Sequence, residues 1–126
     1  MKKIINTKNA PSPIGPYNQA IFKNGILFIS GQIALDPNSM KLNNNSIVDE
    51  THQVMKNLKN ILAEAKMDFK NVVKSTIFLS DMNYFNDVNE VYGSYLENGM
   101  EPARETIAVK TLPMSVNVEI SMIAIN

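Results

Sequence analysis

The segment QAIFKNGILFIS, residues 19–30, decides the fold class. Two apolar runs flank Asn24-Gly25, the pair that best accepts the positive φ angles of a two-residue type I′ hairpin turn. Residues 19–23 and 26–33 therefore read as antiparallel neighbours. Beyond them the period changes. Val54, Leu58, Ile61, Leu62 and Ala65 recur at helical spacing and predict an amphipathic helix from about Val48 to Ala65, with Asp49 or Ser46 as its cap. NVVKSTIFL at 71–79 is β-branched and aromatic, the composition of a strand. Asp81 or Asn83 can cap a second helix over 84–97, whose apolar stripe is Phe85, Val88, Val91, Tyr92 and Tyr95. Residues 104–111 and 116–125 read as strands on either side of Leu112-Pro113. With a short strand near 2–6 the order is βββ-α-β-α-ββ. That order describes a single α+β domain over residues 1–126, a mixed, mostly antiparallel sheet with two helices on one face.

The last strand, VNVEISMIAI at 116–125, carries a further consequence. Val116, Val118, Ile120, Met122 and Ala124 face one way; Glu119, Ser121, Ile123 and Ile125 face the other. Both faces turn apolar towards the end, yet two helices can cover only one. An exposed apolar sheet face is uncommon on a soluble monomer, so a homo-oligomer with closed symmetry is expected.

Composition removes many alternatives. The 126 residues include no cysteine and one histidine, His52, which excludes a disulfide scaffold, a thiolate metal site, a cysteine nucleophile and a multi-histidine metal site within one chain. No apolar run approaches the ~20 residues of a membrane helix. MKKIINTKNAPSP at the N-terminus lacks the apolar core of a secretory leader, so a cytoplasmic location is expected. Net charge is zero, with 12 basic and 12 acidic residues, and no basic stripe advertises phosphate binding. Nucleic acid is therefore not an expected partner.

The phosphate-cradling glycine loop, the HExxH motif and the nucleophile elbow are all missing. His52, in the first turns of the first helix, reads as a solvated or locally bonded side chain. What remains is a set of polar residues in apolar strand settings: Tyr17 after Gly15-Pro16, Ser30-Gly31, Arg104, Thr106 and Glu119. Arg104 is the only arginine among twelve basic residues, in a chain where lysine is the default cation. A carboxylate between Val118 and Ile120 is costly unless paired or neutralised. Arg104 and Glu119 could meet across a ladder or between subunits. Such a pair fits a structural salt bridge, or an anchor for a substrate carboxylate beside a proton-handling acid.

With these residues in view, the sequence resembles the Rid/YjgF family, the reactive-intermediate imine deaminases also described as endoribonuclease L-PSP or translation inhibitors. The matching segments are APSPIGPY at 10–17, ISGQIALDP at 29–37, QVMKNLKNILAEA at 53–65, VVKSTIFLSDMNYFNDVNEVY at 72–92, PARETIAV at 102–109, Leu112-Pro113 and VEI at 118–120. The resemblance implies a chorismate-mutase-like fold, and a homotrimer with active sites at subunit interfaces. It implies hydrolysis of 2-imino acids such as 2-iminobutanoate and 2-iminopropanoate to 2-keto acids and ammonium, with no metal and no cofactor. It implies Arg104 as carboxylate anchor and Glu119 as the residue that orients or activates water. Tyr17, Ser30, Gly31, Asn89 and Thr106 would line the substrate pocket. Two other functions stay open, an RNA-directed translation inhibitor and a ligand-binding trimer without turnover. The chain departs from the family pattern at Asn18, Met40, Leu96, Glu105 and Ser121. Strand alternation sends Glu105 to the face opposite Arg104.

Overall fold

The computed structural model describes residues 1–126. In chain order the elements are β1 (Lys3–Ile5), β2 (Ala20–Lys23), β3 (Ile26–Gln32), α1 (Ile47–Glu64), β4 (Val72–Leu79), α2 (Phe85–Ser94), β5 (Ala103–Ala108) and β6 (Val118–Ile125). The order is the expected βββ-α-β-α-ββ. Asn24 and Gly25 take φ of 53° and 79°, so the turn between β2 and β3 forms with the hand that hairpin strands require. The six strands make one sheet ordered β1-β2-β3-β6-β4-β5. Every pairing is antiparallel except β4 with β5, because α2 supplies the crossover that a parallel pair needs. The last strand thus lies in the middle of the sheet.

Helix α1 starts at Ser46, whose hydroxyl accepts from the Asp49 N–H at 3.0 Å; Ser46 and not Asp49 is the cap. It stops in a Schellman motif, with Lys66 N–H on the Ala63 carbonyl and Met67 N–H on that of Leu62. Lys66 there holds φ of 61°, a left-handed position where glycine is the unstrained choice. Asp81 accepts from the Asn83 N–H and caps a 3₁₀ turn over Met82–Tyr84 that runs into α2. The second helix ends at Ser94, earlier than the periodicity suggests, and the chain turns at Gly99 with φ of 86°. Strand β6 likewise begins at Val118 and not at Val116, because Met114 and Ser115 both hold φ of 55°.

Both helices cover the same face. Leu27, Ile29, Ile77, Leu79, Ile120 and Met122 of the sheet pack with Val54, Leu58, Ile61 and Leu62 of α1 and Val88 and Tyr92 of α2, all buried. Each large aliphatic side chain so buried contributes roughly 1.5–3 kcal/mol against conformational entropy. The other face is open. Ile4, Ile21, Phe28 and Ile123 stand in cross-strand register on it, with Phe28 47% exposed. Beside them Ser121, Thr76 and Glu105 make a polar row; Glu105 pairs with Lys74 at 2.9 Å and accepts from Thr76.

Three buried polar side chains tie loops to this frame, each with every polar atom of its side chain partnered. Gln19 bonds to the backbone of Thr7, Ala10 and Pro11. Asn57 donates to the carbonyls of Ile33 and Leu35. Glu50, fully buried in the first turns of α1, accepts from the N–H groups of Asn117 and Val118 at 2.7 and 3.1 Å. A buried carboxylate is tolerable when such donors replace its water.

Candidate active site

Arg104 stands opposite Ser75 in the parallel β4–β5 ladder, and Ser75 is fully buried beneath the helices. Arg104 therefore emerges on the helix-covered face. Its Nη1 donates to Asn89 Oδ1 at 2.6 Å, and its Cζ lies 5.6 Å from the Phe85 ring centroid and 5.3 Å from that of Tyr92. The guanidinium opens into a cleft of about 280 Å³ walled by Leu96, Glu101 and Pro102. Thr106, two residues along on the same face, has a buried hydroxyl without a partner.

Glu119 stands opposite Phe78 in the β4–β6 ladder and so lies on the open face of the sheet. Strand β4 separates β6 from β5, and the two charges project to opposite sides. Within one chain Arg104 and Glu119 do not meet across a ladder; the strand order and the pleat forbid it. The Glu119 carboxylate instead lies over Gly31, where a Cβ would stand 2.5 Å from Oε2. Glycine at 31 is what lets the carboxylate approach the backbone. Partial burial with no compensating donor pushes the Glu119 carboxyl above the usual carboxylate range. With Tyr17, Gly31 and Pro113 it lines a small cleft of about 60 Å³. The Tyr17 hydroxyl accepts from the Ile14 N–H at 3.2 Å.

The seven residues singled out from the sequence thus fall into two groups. Arg104, Asn89 and Thr106 belong to the helix side; Tyr17, Gly31 and Glu119 belong to the open side. Ser30 does not line the second cleft, because its hydroxyl is turned to the Asn18 carbonyl at 2.6 Å. Glu105 points away from Arg104, as alternation requires, and its hydrogen bond from Thr76 together with Lys74 holds its carboxyl below the usual range. His52 bonds to the Tyr95 hydroxyl at 2.8 Å, a local structural contact. Phe85 and Tyr92, expected only as part of the apolar stripe of α2, also lie beside the Arg104 guanidinium. The signal was present: 85, 89 and 92 are i, i+4 and i+7, one helix stripe with an asparagine in it.

The model of the family described as endoribonuclease L-PSP matches residues 7–126. The chain belongs to this family. It is 46% identical to the mouse 2-iminobutanoate/2-iminopropanoate deaminase, over 99% of this chain and 92% of that protein. The crystal structure of a Rid family protein of Yersinia pestis, described as of unknown function, superposes with a TM-score of 0.97 at 44% identity, covering all of both chains. Escherichia coli TdcF, solved with bound serine, has a TM-score of 0.93 at 33% identity and covers 98% of each chain. The six-stranded mixed sheet with two helices is therefore the Rid architecture. No helix of this family member is long and apolar enough to cross a membrane.

Proposed function

We propose that this chain is a 2-iminobutanoate/2-iminopropanoate deaminase, a hydrolase that converts 2-imino acids to 2-keto acids and ammonium. The observation that carries the reading is the presentation of Arg104. The only arginine of the chain is held by Asn89 and two rings while part of its fork faces an open cleft. Such a fork suits a carboxylate through two parallel charge-assisted bonds. Full-length identity to a mouse protein bearing that activity in its name supports it, and so does the bacterial relative solved with serine, an α-amino acid.

The chemistry asks for little else. An imine carbon is already electrophilic, so hydrolysis needs a placed water and a route for protons. Arg104 anchors the carboxylate and thereby fixes the imine carbon. Water adds to that carbon as Glu119 takes one of its protons and passes it to the nitrogen, giving a carbinolamine; the hydroxyl proton then follows to the nitrogen as the C–N bond breaks and the C=O forms. The products are a keto acid and ammonia, which leaves as ammonium. The unpartnered Thr106 hydroxyl supplies one more polar contact beside Arg104.

The reading includes a homotrimer, located in the cytoplasm, whose sites span two copies. Arg104 and Glu119 of one chain face apart, whereas the apolar open face of the sheet suits burial against a second copy. Mixing inactive variants tests it. In a randomly assorted trimer of Arg104→Ala and Glu119→Gln chains, roughly a quarter of two-chain sites carry both native residues. Recovery of keto-acid release towards that fraction is the expected result; no recovery after verified subunit exchange overturns the shared site. Loss of deaminase activity in neither parent variant overturns the assignment itself.

A further inference from the structure

The stripe Phe85, Asn89, Tyr92 does more than fill space between helix and sheet. All three side chains adjoin the one guanidinium, Asn89 by a hydrogen bond and the two rings with centroids 5.6 and 5.3 Å from Cζ, within cation–π range. Tyr92 is the fixed member. It is 4% exposed, and its hydroxyl donates to Ser75 Oγ at 2.8 Å. Burial pushes the Tyr92 hydroxyl up, which keeps it an O–H donor across the working pH range. Ser75 in turn is the register partner of Arg104 in the β4–β5 ladder. The contacts therefore close a ring: Arg104 to Asn89, along α2 to Tyr92, across to Ser75, and through the ladder back to Arg104.

An edge strand alone would leave a long arginine side chain free to sample many rotamers, and ordering it on binding would weaken affinity. Phe85 is half-buried and borders the guanidinium from the start of α2, whereas Tyr92 backs it from the buried side. A cation–π attraction acts on the cation's charge and consumes none of its N–H donors, so the fork stays available to a ligand.

We propose that Tyr92, locked through Ser75 and assisted by Phe85, is a positioning residue that holds the Arg104 fork in its carboxylate-binding orientation before substrate arrives. The inference rests on the reading of Arg104 as the carboxylate anchor. It assigns to an apparently ordinary core tyrosine a share of the substrate affinity and no share in bond making.

The test is a double-mutant cycle on binding of 2-oxobutanoate, the keto acid that 2-iminobutanoate yields, measured by calorimetry. The proteins are the wild type, Tyr92→Leu, Tyr92→Phe, Phe85→Leu, Arg104→Lys, and Arg104→Lys combined with each of the other three. Tyr92→Leu is expected to weaken binding about 5- to 30-fold, Phe85→Leu about 2- to 10-fold and Tyr92→Phe about 2- to 3-fold, the last because the ring remains. In the Arg104→Lys background the three substitutions are expected to add almost nothing. Turnover of a 2-imino acid should show a raised KM with kcat within about twofold of wild type. Equal losses in both backgrounds overturn the inference and make Tyr92 purely structural, while the anchor reading stands. Wild-type affinity in both Tyr92→Leu and Phe85→Leu also overturns it. Wild-type affinity in Arg104→Lys overturns the anchor reading, and the inference with it. Where Tyr92→Leu does not fold, Tyr92→Phe and Phe85→Leu run the same cycle.

Discussion

The two clefts of this molecule treat charge in opposite ways. Arg104 is fully furnished: one hydrogen bond, two ring faces and a wide cleft in front of it. Glu119 is bare, a half-buried carboxylate over a glycine with no donor to satisfy it. The difference fits the roles proposed for the two residues. A cation that only has to hold a ligand works best when its geometry is settled beforehand. An acid that must exchange a proton works best when no partner pins it to one ionisation state. In the function proposed above, one face of the sheet grips the substrate and the other moves its protons.

The largest expected effect comes from destroying the grip. Arg104→Lys keeps the charge and loses the fork, and one lost charge-assisted bond of ~1.5–3 kcal/mol predicts a roughly tenfold to hundredfold fall in kcat/KM. Arg104→Ala should fall further. An imine without a carboxylate should lose nothing in either variant, since nothing in it uses the fork. Equal loss on both substrates would dissolve the contrast between the clefts.

Gly31→Ala attacks the other side with a single methyl. Its Cβ would collide with the end of the Glu119 side chain, 2.5 Å from Oε2 and 2.8 Å from the carboxyl carbon. The side chain is flexible, so the fold should survive at a cost of about 1 kcal/mol, while a displaced carboxylate lowers turnover about tenfold or more. A variant that melts normally and turns over normally would show that the position of Glu119 is immaterial.

Glu119→Gln separates the proton from the packing. Turnover should drop steeply, because an amide accepts no proton. Stability should move the other way, with a sign fixed by burial. The folded state favours the protonated acid, so the contribution of Glu119 to stability is fullest below its unfolded pKa and declines as pH rises through the raised folded pKa. The amide lacks that penalty. Glu119→Gln should therefore melt above the wild type at neutral pH, and the gap should close below the unfolded pKa of about 4.3. Parallel melting curves at pH 4 and pH 7.5 would contradict the desolvation account.

The smallest effect is a control away from both clefts. Lys66→Gly relieves the left-handed C-terminal position of α1 and should raise stability by about 0.5–1 kcal/mol with unchanged kinetics.

The fold was legible because its signals are local. Asn24-Gly25 sets a turn, the spacing of Val54 to Leu62 sets a helix, and alternation in 118–125 sets a buried face. Strand order was not legible, since nothing within β5 or β6 records that β4 lies between them. The same gap hid the faces of Arg104 and Glu119: parity along each strand was clear, but parity between strands needs the register. The buried polar ties escaped for a related reason. Glu50 reads as an ordinary acidic residue early in a helix, and its donors lie 67 and 68 positions away. Near Arg104, an asparagine beside an apolar stripe stands out in the sequence whereas Phe85 and Tyr92 do not, because an aromatic residue looks the same whether it faces a leucine or a guanidinium.

The position of β6 in the middle of the sheet has a consequence for the chain as it is made. Strands β3 and β4 leave the ribosome before the strand that joins them, so on the growing polypeptide each can pair only on its outer side, β3 with β2 and β4 with β5. Until residues 118–125 arrive, the inner edges of both stay unpaired and the Glu50 carboxylate has only water for company. The nascent molecule is a pair of separate sheet fragments waiting for a keystone. Its vulnerable interval, for proteolysis and for strand-edge aggregation, is set by the time taken to translate its second half.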